Sequence, residues 1–172
     1  MLSSLKQSRR RRETAARLCA AISSRARDPV FYRAYGVADS IDGRFDVLVL
    51  HAWLVLARLQ EMGDDALAQR LVDALFARFD EALREQGAGD MGMSRRIKEI
   101  AGAFYGRLRA YSGSDEIGLR DAILRNVYRG EASRIEQAAA LAKYTCEARA
   151  DIAKSRVAEG ELQFGPLPRP VC

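Results

Sequence analysis

The chain has 172 residues, the length of a single domain able to bury its own hydrophobic core, and its 48% hydrophobic and 30% charged composition excludes wholesale disorder and a polytopic membrane protein. Cys19, Cys146 and Cys172 lie far apart with no CxxC spacing, which excludes a disulfide framework, a zinc site and c-type haem attachment and points to a reducing compartment. The net charge of +5 sits at one end: residues 1–27 carry eight basic residues against the single acid Glu13, leaving a net of −2 over 28–172.

That first stretch, with Arg9, Arg10, Arg11 and Arg12 at its centre, is a basic arm that can approach the phosphates of RNA or anionic lipid, or stand as a solvated helix face. Its apolar run, Ala15 to Ile22, is broken by Arg17, which argues against a secretory signal, while its Arg-rich, acid-poor character also fits a mitochondrial presequence. Apolar spacings of three and four predict a helix from about Ser4 to Arg27, with Ala15, Leu18, Cys19, Ile22 and Ala26 on one stripe. Asp28-Pro29 predicts an N-cap with proline at the first helical position, opening a short helix that stops at Gly36. A loop is expected over 36–43, with Asp42-Gly43 as a turn.

Residues 45–62 form the most apolar element, nearly apolar on every face from Val47 to Ala57. Such a helix is enclosed by protein or lipid, and an apolar run of 11 residues between Asp46 and Arg58 is too short to span a bilayer. It is therefore predicted to be the central buried helix. Gly63 and Asp64 separate it from a helix over 65–86, whose Leu67, Leu71, Leu75, Phe79 and Leu83 make a core-facing stripe. Further helices are predicted from about Ser94 to Tyr111, from Asp115 to Tyr128 and over about 131–156, and the tail beyond Gly160, with Pro166, Pro168 and Pro170, is expected to wander. No strand alternation appears. The fold class is all-α, a single bundle of six to seven helices divided as arm 1–27, helical domain 28–158 and flexible tail 159–172.

Few constellations carry chemistry. Residues 87–92 spell GxGxxG, but a helix precedes them where dinucleotide binding requires a strand, so Gly87 reads as a helix C-cap and Gly92 as slack before Ser94. Asp39, Asp42 and Asp46 lack the ligand spacing of a calcium loop. His51 is the only histidine, which removes two-histidine metal sites, and its place in the central helix suggests a hydrogen-bonded core residue rather than a catalytic one. No catalytic residue, metal or cofactor is expected. Gly102 and Gly106, four apart in a helix that they weaken, imply close approach of a neighbouring helix or of a bound partner.

Asp42-Gly43-Arg44-Phe45-Asp46 running into Leu50-His51-Ala52-Trp53-Leu54, and above all LREQGAGDMGMSRRIKEIAGAFYGR from Leu83 to Arg107, resemble the ubiquinol–cytochrome c reductase assembly chaperone family over about residues 28–130. The resemblance implies a helical, non-catalytic chaperone that holds newly made cytochrome b, or another bc1-complex subunit, during bc1 complex assembly, and the Ala/Arg-heavy composition suggests a bacterial homologue. The expected client surface comprises Asp90, Arg95, Lys98, Phe104, Tyr105 and Arg107. The expected location is the bacterial cytoplasm, peripheral at the inner membrane through the basic arm, with the matrix side of the mitochondrial inner membrane as the alternative. A competing reading makes the arm an RNA- or ribosome-binding module.

Overall fold

A segment that is apolar all round must be enclosed, and the other helices are arranged to do so. The computed structural model describes the backbone of residues 2–85 and 90–167, with the side chains of all but 2–4, 90 and 91 among them. Its helices are α1 (Leu2–Ala26), α2 (Pro29–Arg33), α3 (Ile41–Glu61), α4 (Asp65–Glu85), α5 (Asp90–Tyr111), α6 (Glu116–Asn126) and α7 (Ile135–Ala153), with 3-10 turns at Ala132–Arg134 and Val157–Glu159. Among the described residues there is no strand, and the all-α bundle expected from the periodicity is what forms. α3 packs against α1, α4, α5 and α7, and its Val47, Val49, Leu50, Ala52, Leu54, Val55 and Leu59 are buried. Each large apolar side chain so buried contributes roughly 1.5–3 kcal/mol, before the entropy of ordering it is subtracted.

Short polar side chains start the helices where the sequence places them. Asp28 accepts from the Val30 amide with Pro29 at the first position, Asp64 accepts from the Leu67 amide and Asp115 from the Gly118 amide. Several boundaries differ from expectation, α7 running from Ile135 to Ala153 behind a 3-10 turn where about 131–156 is predicted. α3 begins at Ile41, capped by Ser40 through the Gly43 amide, so Asp42 and Gly43 lie in its first turn instead of in a loop. Gly43 is there because the chain folds back on it: a Cβ would lie 1.9 Å from the Ala38 carbonyl oxygen. α5 begins at Asp90, ahead of the predicted Ser94, so Gly92 is helical; Gly87 lies outside the described residues.

The division into arm, domain and tail is also corrected. From Thr14 onward α1 belongs to the core, burying Ala15, Leu18, Cys19, Ile22 and Ala26 against α4 and α3, and only residues 5–13 stand largely clear. The tail does not wander between Gly160 and Leu167. Phe164 is buried edge-on against the His51 ring, and Arg25 donates hydrogen bonds to the carbonyls of Gly165 (3.0 Å) and Pro166 (2.9 Å). Residues 168–172 lie outside the described ones.

His51 explains why the tail is held. A carbonyl only accepts, so the 2.7 Å contact of Nδ1 with the Val47 oxygen places the proton on Nδ1, leaving Nε2 to accept from the Tyr144 hydroxyl at 2.9 Å. Tyr144 in turn accepts from Arg25 Nε at 2.9 Å, and Arg25 reaches the tail. Burial lowers the imidazole from its ordinary value of 6.5 to about 4, and the nearby Arg25 charge acts in the same direction while the Val47 bond opposes it. The folded state therefore holds neutral histidine in a range where the unfolded chain takes up a proton, so stability is full above about pH 6.5 and falls as the pH drops toward 4. Between neutral pH and about pH 4 this residue is expected to remove roughly 3 kcal/mol of stability. Urea unfolding of the parent and of His51→Gln across that range checks it, the variant showing the shallower dependence.

Candidate functional site

Site geometry begins with a charge that α3 cannot keep in water. Asp46 is fully buried one turn from the N-terminus of α3, and Arg107 of α5 points both Nε (2.7 Å) and Nη2 (2.6 Å) at its Oδ1. Arg129, which follows α6, brings Nη1 to 2.8 Å from Oδ2, an ion-pair separation without hydrogen-bond alignment. Burial raises the Asp46 carboxyl, and the two guanidinium groups pull against it. Arg107 also donates to the Ala103 carbonyl and lies over the Phe45 ring. It therefore locks the rotation of α5 relative to α3.

That rotation decides which α5 residues meet solvent. Phe104 is 0% exposed and packs edge-on to Phe76 in an aromatic cluster completed by Phe79 and Phe45. Tyr105, 47% exposed, forms the solvent side of this cluster, edge-on to Phe104 at 5.3 Å and stacked on Phe76 at 6.3 Å with an interplanar angle of 19°. Gly102 and Gly106 are exposed, and a Cβ on either meets nothing within 4 Å. Packing against another helix of the domain therefore does not explain them. Arg95, Lys98, Gly102, Tyr105, Gly106 and Arg109 follow one another at spacings of mostly three and four along a single exposed face. Arg95 is tied to Glu99 by an exposed bridge at 3.0 Å.

Of the predicted client-binding residues, the structure thus brings Arg95, Lys98 and Tyr105 together on one surface. Phe104 and Arg107 are corrected: the first is sealed in the core and the second is engaged with Asp46, so both position the face without forming it. Asp90 opens α5, and its side chain lies outside the described ones. Sequence reasoning missed Phe76 and Arg109. Phe76 falls just off the leucine stripe of α4, and Arg109 continues the α5 face by one further turn, a spacing that could have found it.

Two comparisons bear on what this arrangement is. The family model described as ubiquinol-cytochrome C chaperone matches residues 33–160. The chain belongs to that family. The crystal structure of the Cbp3 homolog from Brucella abortus superposes with a TM-score of 0.81 at 31% sequence identity, covering 96% of this chain and 97% of that one. No curated protein matches the chain at significant similarity. As a ubiquinol–cytochrome c chaperone the protein is a non-enzymatic assembly factor of the bc1 complex, and the bacterial resemblance read from the sequence holds.

The remaining candidate features fit a chaperone of this family without adding chemistry. His51 is fully buried and lines neither of the two described cavities. Among the described residues no cluster of His, Cys, Asp or Glu is placed to hold a metal ion, and no helix is long and apolar enough to cross a membrane. On the exposed start of α1, Arg9 pairs with Glu13 (2.8 Å) and Arg11 approaches Asp64 (3.9 Å), whereas Arg10 and Arg12 form no ion pair among the described residues. Beside the aromatic cluster a groove of about 360 Å³ opens between α1, α3 and α4, with Phe45 and Phe79 in its wall.

Removing Arg107 leaves a buried carboxylate with only the half-exposed Arg129 beside it, so Arg107→Ala is expected to destabilise the chaperone by about 3–5 kcal/mol. Replacing both charges, as Asp46→Asn with Arg107→Met, is expected to lose less than Arg107→Ala alone. Denaturant midpoints of the three proteins check the order.

Proposed function

We propose that this chaperone binds cytochrome b during bc1 complex assembly and that the outward face of α5 is the contact surface. The observation that carries the reading is the pair Gly102 and Gly106, bare of neighbours and flanking the exposed Tyr105 ring. Two small residues four apart let an incoming helix approach the backbone closely, and an aromatic ring between them supplies apolar area of the kind a membrane-protein segment offers. Lys98, Arg95 and Arg109 border this strip with positive charge, which suits the polar ends of such a segment. A helix interior tolerates glycine at a penalty of about 1 kcal/mol relative to alanine, and an external partner accounts for two such penalties where no internal neighbour does.

The exposed start of α1 supports a second element of the reading, location. Arg10 and Arg12, free of ion pairs among the described residues, present charge that an anionic membrane surface attracts at roughly 1 kcal/mol per residue. In this reading the chaperone works in the bacterial cytoplasm and rests peripherally at the inner membrane, where its client emerges. Ribosomal RNA would satisfy the same charges, and flotation with anionic vesicles against sedimentation with ribosomes separates the two.

The client face is tested by adding bulk where there is room for it. Gly102→Leu and Gly106→Leu are expected to keep or raise the melting temperature, since leucine is the better helix former, while capture of cytochrome b from cross-linked membranes falls about tenfold or more. Tyr105→Ala is expected to weaken capture without unfolding the protein. Undiminished capture by the stable leucine variants would sink the α5 assignment, and recovery of ribosomal components alone, lost on replacing Arg9, Arg10 and Arg12, would transfer function to the arm.

A further inference from the structure

The groove between α1, α3 and α4 is used by nothing described so far. Its floor is apolar, with Ala26, Leu75 and Leu83 buried and Tyr32, Phe45, Leu48, Phe79 and Ile100 half-buried along its walls. Its exposed rim carries Arg27, Arg44 and Arg78 against the single acid Asp42. Arg44 is held by Asp39 at 2.7 Å and lies over the Tyr32 ring, and Arg78 donates to the Ser23 hydroxyl at 3.1 Å. Arg27 and Arg78 make no ion pair among the described residues, so the mouth keeps positive charge. An apolar hollow of about 360 Å³ with a few convergent polar groups at one end has the size and lining of a small-ligand site.

The chemistry of the walls selects among occupants. They are side chains of helices whose backbone groups are bonded within the helices, so an extended peptide entering the hollow would leave its own amides and carbonyls unpaired. A helix satisfies its backbone, but at about 10 Å across it would ride over the mouth and reach the floor with side chains alone. A hydrocarbon chain carries no polar group at all. Guanidinium groups at the mouth match a phosphate, which accepts paired N–H donors in the geometry that arginine presents.

We infer that this groove binds one acyl chain of an anionic phospholipid, with the phosphate at the rim among Arg27, Arg44 and Arg78. The site is separate from the α5 face, and its filling places lipid beside the aromatic cluster that supports Tyr105. Phe79 is shared by the two, lining the groove and packing against Phe76 and Phe104.

The test titrates the full chain with lauroyl lysophosphatidylglycerol below its micelle concentration, by calorimetry, beside lauroyl lysophosphatidylcholine and laurate. The expected result is one-to-one binding of the anionic phospholipid at least about tenfold tighter than of the zwitterionic one, with laurate intermediate. Ala82→Trp, which adds bulk at an exposed lining position of α4, is expected to abolish binding, and Arg27→Ala with Arg44→Ala to weaken it about tenfold and flatten its salt dependence. The double arginine variant keeps the test valid if the tryptophan disturbs folding. Replacing Arg9, Arg10 and Arg12 by alanine is expected to leave binding intact. Equal binding of the three amphiphiles, many equivalents per chain, or unchanged binding in both groove variants would overturn the inference, as would laurate binding tightest. If the groove variants bound lipid normally but lost cytochrome b, the groove would be a protein interface instead.

Discussion

A helix apolar on every side and bearing two polar groups in its interior can exist only inside other helices that bring partners for those groups, and α3 sets this requirement for the whole molecule. Burial of its leucines and valines supplies the driving force, but that force is non-directional and would accept many arrangements of α1, α4, α5 and α7 around it. Asp46 and His51 are directional. Asp46 accepts from Arg107 and pairs with Arg129, which fixes α5 and the end of α6, while His51 accepts from Tyr144 and through it from Arg25, which fixes α7, α1 and the tail. The net stabilisation of a buried ion pair over an apolar replacement is small or negative, so these groups contribute chiefly by excluding alternative packings.

The two polar anchors divide the labour along α3. Near its N-terminus the Asp46 anchor turns α5 so that Phe104 faces inward and Gly102, Tyr105 and Gly106 face outward. Near its middle the His51 anchor gathers chain segments that are far apart in sequence, with Arg25 reaching over 140 residues to Gly165. The proposed client face and the tail network are therefore held by two polar residues of the same helix. Disturbing Arg107 would turn the exposed face of α5 without touching it, so Tyr105 and Arg107, two residues apart in sequence, stand in different surroundings.

Helical periodicity, caps and the buried character of α3 were legible because each is a local pattern: three- and four-residue spacing, Asp28-Pro29, and Asp64 and Asp115 ahead of apolar runs all reappear as seen. The family was legible from Leu83 to Arg107, the segment with the most specific motif. What the sequence did not show depends on long-range geometry. Arg107 looks like surface charge until the buried Asp46 is placed beside it, and Phe104 and Tyr105 are equally aromatic until the rotation of α5 separates them. The proline-containing tail looks loose because its anchors, Arg25 and His51, lie more than 100 residues away. Gly43 is the local exception: Asp42-Gly43 reads as a turn pair, and the fold-back that brings the Ala38 carbonyl onto it spans only five residues.

An all-helical surface has a consequence for a chaperone of membrane-protein assembly. Helices satisfy their own backbone groups, so among the described residues the surface offers a partner no unpaired strand edge to extend. What remains is side-chain contact, which in the proposed reading is a ring, two bare glycines and bordering cations on α5. Contacts of this type bury modest area and form without a large ordering cost, because the α5 face is held rigid from beneath by Phe104 and Arg107. In that reading, binding through a preformed side-chain surface covers an apolar segment and leaves the client's backbone uncommitted. A client held in this way leaves for permanent partners that offer a larger buried interface.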